Sequence, residues 1–304
     1  MRDSFVRALS ELAAQDPSIV LVNGDLGFGV LADFVARFPD SYLNAGVAEQ
    51  NMTAVACGMA LTGARAYTYS IGNFPTLRCL EQLRNDVCYH RANVTVVAVG
   101  GGFSYGQLGM SHFATEDLAI LRALPEMTIV APSDPWQAYA LTRQLHARGG
   151  PCYLRLDKGR ADLPEGDVEL GKARQVRDGT DAVIFSTGAI LGEAIAASDL
   201  LAGSGASVRV VDVHTIKPLD VDSICETARV CANVVTLEEH VVIGGLGAAI
   251  AEACLEGGVP VRKFKRIGLQ DRFPDVVGDQ PFLRRRYGMD GPAIAAALGK
   301  MLDL

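Results

Sequence analysis

NAGVAEQNMTAVACGMAL, residues 44–61, joins a turn of small residues to an acid at Glu49 and a helix behind it. From Met52 onward the apolar residues Met52, Val55, Ala56, Met59 and Ala60 recur at helical spacing, which predicts a helix with one face buried against a sheet. Glu49 falls in the first turn of that helix. Taken alone, an acid there needs no further role, because it complements the helix dipole by about 0.3–1 kcal/mol.

Outward from this helix, strand and helix alternate in both directions. Upstream lie a helix at 2–14, a strand at Ile19–Val22, the turn Asn23–Gly29, a helix near 30–37 and a short strand at Tyr42. Downstream come a strand at Arg65–Ser70, a helix at 76–90, a strand at Val94–Val99, a Gly-rich loop at 100–116, a helix at 117–123, a strand at Met127–Val130, a helix at 135–147 and a strand at Cys152–Arg155. Runs such as VTVVAV are apolar throughout, as in parallel strands covered by helices on both faces. The polar segment between Asp157 and Asp181, with several Gly and a Pro, reads as a linker. A second series follows, with strands at Ala182–Ser186, Ser207–Val213, Val234–Glu238 and Pro260–Phe264 and helices near 190–202, 220–230, 246–256 and 291–302. The expected fold class is therefore α/β with two doubly wound domains, over 1–160 and 181–304, joined by a linker at 161–180.

Composition narrows the function. The chain has 304 residues, is 49% hydrophobic and carries a formal charge of −7, which speaks against nucleic acid as the main partner. Its one basic run, Arg284-Arg285-Arg286, reads as a solvated patch. The charged first residues form a helix and not a secretory signal, and no stretch approaches the roughly 20 apolar residues of a membrane span. Seven scattered cysteines without a C-x-x-C pair read as reduced core thiols of a cytoplasmic protein, and the five scattered histidines offer no zinc site.

The order Gly46-Val47-Ala48-Glu49-Gln50-Asn51-Met52 resembles the pyrimidine-domain signature of the transketolase family of thiamine diphosphate enzymes. The resemblance implies that Glu49 is catalytic: its carboxyl group would hydrogen-bond N1′ of the cofactor's aminopyrimidine and favour the imino form that removes the thiazolium C2 proton. It also implies that Asp25 reaches the cofactor across a subunit interface and that Phe74 stacks on its pyrimidine, the alternative for Phe74 being a core aromatic at a strand end. Arg78 is placed to face an anion, cofactor included, or the partner chain. The run G-x-x-x-H-x-x-x-E-D-L at 108–118 resembles the family's substrate-channel loop. His112 stands there where the family has a His facing the substrate's C2 oxygen, although a lone His is more often structural. Lys158 occupies the place of a phosphate-binding Arg, a point charge in place of a planar fork, or it is a surface Lys. Arg7 resembles another phosphate contact.

Two positions depart from the pattern. Leu108 and Gly100 replace the acidic residue and the His that read the donor's hydroxyls and phosphate, so the reaction class carries over better than the substrate. Asn23-Gly24-Asp25 with Asn51 is not the family's magnesium-diphosphate motif, because Leu26 follows the Asp where the motif has Gly. Gly244-Gly245-x-Gly247 lacks the third glycine and the later acid of a dinucleotide fingerprint.

The resemblance covers nearly the whole chain, with Thr215–Asp220 and Glu238–Gly247 resembling the carboxy-terminal domain, and what it leaves out is the diphosphate-binding domain. It thus implies one subunit of a split transketolase that moves a two-carbon ketol group from a ketose, phosphorylated or not, to an aldose. A second chain would hold magnesium and the diphosphate, in a heterotetramer of two plus two chains. The alternatives are the beta subunit of a 2-oxo acid dehydrogenase or of a pyruvate-decarboxylating synthase and, in another class, a non-catalytic regulatory subunit.

Overall fold

A computed structural model describes residues 1–304. The first half runs α1 (Arg2–Ala13), β1 (Ile19–Asn23), α2 (Ala32–Arg37), β2 (Tyr42–Asn44), α3 (Glu49–Leu61), β3 (Arg65–Ile71), α4 (Leu80–Gln82), β4 (Val94–Val99), α5 (Asp117–Arg122), β5 (Thr128–Val130), α6 (Pro135–Arg148) and β6 (Cys152–Leu156). The second runs β7 (Arg174–Arg177), β8 (Ala182–Ser186), α7 (Leu191–Ala202), β9 (Val208–Asp212), β10 (Thr215–Lys217), α8 (Val221–Cys231), β11 (Asn233–Val241), α9 (Leu246–Glu256), β12 (Lys263–Leu269), α10 (Gln280–Arg286) and α11 (Gly291–Leu302).

The strands form a seven-stranded sheet in the order β10-β5-β6-β4-β3-β1-β2 and a five-stranded sheet in the order β12-β11-β8-β9-β7. Every residue of β4 is buried, as its apolar sequence requires of a central strand covered on both faces. Only β10 and β7 run antiparallel to their neighbours. From β1 the chain goes out to the edge strand β2, whereas from β3 it goes inward to β4. A crevice therefore opens at the carboxyl ends of β1 and β3, which is where ligands bind in sheets of this kind.

The halves are welded together. Strand β10 comes from the second half yet pairs with β5 of the first sheet, and one core cluster holds Val96 and Ile129 of the first sheet together with Phe185 and Val213 of the second half. Buried ends are satisfied as well: both oxygens of Glu238 accept from the Leu246 and Gly247 amides at the start of α9. A Cβ on Gly245 would lie 2.1 Å from Glu238 Oε2, so the glycine there is a packing requirement.

Four local expectations are corrected. The helix expected over 76–90 starts only at Leu80 and continues as a π-helical turn over Leu83–Cys88, because the Thr76 hydroxyl bonds back to the Gly72 and Asn73 carbonyls and holds the preceding residues in turns. The last strand lies at Lys263–Leu269, not at Pro260–Phe264. Arg284 is not solvated: it is buried with its guanidinium on Glu239, while its neighbours Arg285 and Arg286 are exposed. Within the stretch expected as linker, residues 174–177 form β7. All seven cysteines are buried and free, and no helix is long and apolar enough to cross a membrane.

At the carboxyl end of β9 two buried groups titrate in opposite senses. Burial raises the Asp212 carboxyl from 3.8 to about 6, opposed by hydrogen bonds from Gln137 and Ser133 and by the Arg174 charge. Burial lowers the His214 imidazole from 6.5 to about 4, reinforced by Arg174. As pH rises from about 4 to 6, the folded chain keeps a proton on Asp212 that the unfolded chain releases, so this contribution to stability falls. Over about the same range folded His214 is neutral while its unfolded counterpart is protonated, so its contribution rises with pH. The two offset each other. Relative to wild type, Asp212→Asn is expected to gain stability with pH across this window and His214→Asn to lose it, each on the order of 3 kcal/mol. Urea midpoints against pH measure this, and superimposable difference curves for the two variants would refute it.

Candidate active site

Glu49 is the first residue of α3 and is 3% exposed, although it borders the β1/β3 crevice. Burial follows from its position: Met52 and Ala56 on the same helix go into the core, which draws the helix start onto the sheet. Gly24 lies against this corner, where an added Cβ would come into ordinary contact with the Ser70 hydroxyl, Glu49 Cγ and Met52 Sδ at 3.4–3.5 Å.

Five of the seven predicted site residues form one continuous chain of contacts. Arg78 donates from Nη1 to Glu49 Oε2 at 2.6 Å, which leaves Oε1 free of any partner in the chain. The Arg78 guanidinium also lies over the Phe74 ring, 4.9 Å from its centroid. Phe74 meets the His112 ring edge-on at 5.2 Å. His112 then packs beside Tyr105, 6.3 Å between centroids, and the Lys158 ammonium sits 3.6 Å above that same Tyr105 ring. Ser111 Oγ meets His112 Nδ1 at 2.9 Å, leaving Nε2 open.

Asp25 joins from the other side of the crevice. It lies just past β1 in the left-handed backbone region, with a φ of 58°, and accepts from Asn44 Nδ2 at 2.8 Å. Asn44 Oδ1 in turn accepts from the Gly46 amide at 2.9 Å. Asp25 is thereby tied to the turn that delivers Glu49. Arg7 stands apart, on α1 with its guanidinium over the ring of Tyr139 of α6.

The sequence reading missed Tyr105, which links His112 to Lys158. It lies in a loop singled out for its glycines, and only the fold shows that its ring contacts both. Also missed were two buried polar atoms left without partners at the crevice, Asn23 Oδ1 and Ser70 Oγ. Such groups are costly to bury unpaired, and they sit at the ends of β1 and β3 where a polar ligand would meet them.

A buried carboxylate, an aromatic face, an imidazole and an ammonium thus line one path from the crevice to the loop at 100–116. The arrangement can hold a heteroaromatic ring at Glu49 and Phe74 and an anionic, oxygen-rich molecule between His112 and Lys158.

Residues 1–162 match the transketolase pyrimidine binding domain and residues 171–294 the transketolase C-terminal domain. The chain is 38% identical over 301 residues to an apulose-4-phosphate transketolase subunit of Phocaeicola vulgatus, covering 96% of this chain and 94% of that one. It is 37% identical over 310 residues to the 6-deoxy-6-sulfo-D-fructose transketolase subunit of a Clostridium species, covering 100% and 94%. Among solved structures, a split gene transketolase described as an inactive β4 tetramer superposes with a TM-score of 0.88 at 34% identity, over 100% of this chain and 98% of that one.

Proposed function

We propose, because the chain belongs to the transketolase family, that it is the catalytic half of a split transketolase and transfers a two-carbon ketol unit from a ketose to an aldose once joined to an amino-terminal subunit. The observation that carries the reading is the placement of Glu49: buried, at a helix start, on the switch-point crevice, with one carboxylate oxygen uncommitted. The residues fit thiamine diphosphate, since the crevice offers a carboxylate, the Phe74 ring and the unpartnered Ser70 hydroxyl. When bound, that cofactor supplies a stabilised carbon nucleophile that carries the two-carbon unit between sugars.

The chain's own residues supply the rest. Glu49 would hold the proton at the pyrimidine N1′ through Oε1, while Arg78 fixes the carboxylate by its other oxygen. Phe74 gives the ring a face to lie on, and Asp25 reaches toward the cofactor from the β1 turn. His112 presents Nε2 to a substrate oxygen. Lys158 attracts the anionic end of the sugar, and the names of both relatives, a 4-phosphate and a 6-sulfo sugar, contain such an end. Magnesium and the diphosphate are assigned to the partner subunit, in an assembly of two plus two chains.

The test is reconstitution of the chain with its amino-terminal partner, magnesium and cofactor, followed by a mass-spectrometric screen of anionic ketose donors against aldose acceptors. A gain of two carbons by an acceptor is the expected result. Release of carbon dioxide from a 2-oxo acid would move the protein to the decarboxylating class, and a complex that binds no thiamine diphosphate would end the reading.

A further inference from the structure

We propose that Glu239, in the second half of the chain, is a positioning residue that sets the loop carrying His112. The inference rests on the reading that His112 faces substrate. The loop at 100–116 is closed at its base by a pair of backbone hydrogen bonds between Gly102 and Ala114, 2.9 and 3.1 Å. Both sides of that base are fastened to β11. On one side the Phe103 amide donates to Glu239 Oε1 at 2.6 Å. On the other the Val241 amide donates to the Thr115 carbonyl at 2.8 Å, and Arg155 Nη2 bridges the carbonyls of Ala114 and Glu239 at 2.8 and 3.1 Å.

Glu239 is 2% exposed and fully engaged. Its Oε1 also accepts from Gln280 Nε2 at 2.7 Å, and its Oε2 takes the Arg284 guanidinium, so α10 holds the carboxylate against the loop. The fit is mutual, for a Cβ on Gly102 would lie 2.4 Å from Glu239 Oε1. Further out, the Gly278 amide donates to the Gly106 carbonyl at 3.2 Å. Beyond this brace the loop has fewer ties: Leu108 is 55% exposed, and near His112 the Asn73 Nδ2 donates to the Ser111 carbonyl at 2.8 Å. An ion pair that only fastened α10 to β11 would not need to reach a loop amide of the first half. This one does, at the point where the loop leaves the sheet.

Glu239→Asp keeps a charge opposite Arg284 but is one methylene too short to hold the Phe103 amide as well. Glu239→Gln keeps the reach and loses the charge. In the assembled holoenzyme, both are expected to speed chymotryptic cleavage at Tyr105, Leu108 or Phe113 by about tenfold while the Asp variant stays folded at the assay temperature. Because a misplaced reacting group costs up to about 10²-fold, kcat/KM should fall by about ten- to a hundredfold, mostly through KM for the donor. Loop cleavage at the wild-type rate in a folded Glu239→Asp protein overturns the inference, whatever happens to turnover. A loosened loop together with wild-type turnover in His112→Asn upholds the brace and removes His112 from the reaction. If Glu239→Gln fails to fold, the Asp variant alone decides.

Discussion

Glu49→Gln is expected to lower turnover of the assembled enzyme by about 10²–10⁴, the usual contribution of a positioned proton-transfer group, or roughly 3–5 kcal/mol of barrier. The expectation comes from what the amide cannot do. Gln fills nearly the same volume at the start of α3 and still accepts from Arg78, but it cannot take a proton at the uncommitted oxygen. Folding should survive, because Arg78 is 49% exposed and turns to water when its carboxylate partner is lost. The pair is open to water on the Arg78 side alone, and the amide fills the buried place of Glu49, which is 3% exposed. The checks are steady-state kinetics with the partner subunit and a thermal melt of the variant. Turnover within threefold of wild type in a folded, cofactor-loaded Glu49→Gln enzyme would remove the carboxylate from the chemistry. Glu49→Ala should fall at least as far.

The fold was legible where burial and pattern agree. VTVVAV could only be a central strand, and the spacing of Met52 and Ala56 is enough to place Glu49 on the sheet edge. Legibility failed where an element is held by partners distant in sequence. Strand β7 reads RQVR, alternating half-buried and exposed residues at a sheet edge, and nothing local distinguishes it from a polar linker. Strand β10 is three residues long and exists because β5 offers an edge to it. In β12 the polar Lys263, Lys265 and Arg266 mask the strand start, since an edge strand tolerates charge that a central one does not. Arg284 looked solvated among three consecutive arginines, yet α10 turns that one inward to Glu239, 45 residues away in sequence.

The site divides the same way. Glu49, Phe74 and His112 could be singled out as candidates because their flanking residues form recognisable patterns, but the ion pair of Glu49 with Arg78 and the contacts of Tyr105 with both His112 and Lys158 are properties of packed loops. Arg7 was proposed on local likeness alone, and its guanidinium lies over Tyr139.

The largest stability effect is expected at the seam behind the loop. Asp117 and Arg155 form a two-pronged ion pair there, Nε to Oδ2 at 2.8 Å and Nη2 to Oδ1 at 3.3 Å, with side chains 1% and 3% exposed. The Tyr153 hydroxyl donates to the same Oδ2 at 2.6 Å. Asp117→Ala leaves a guanidinium buried without its counter-charge, a situation that costs about 3–5 kcal/mol, whereas a buried pair exchanged whole for apolar groups costs far less. Asp117→Ala combined with Arg155→Met should therefore recover part of the loss. Recovery stays incomplete because Arg155 also serves the carbonyls of Ala114 and Glu239, and each buried acceptor left unpaired costs about 1–3 kcal/mol. A double-mutant cycle on urea denaturation reads the coupling directly. A coupling energy above about 1 kcal/mol is expected for residues in contact, and strict additivity would mean that the charge on Arg155 finds water in the single variant, so that this seam is wetter than its packing indicates.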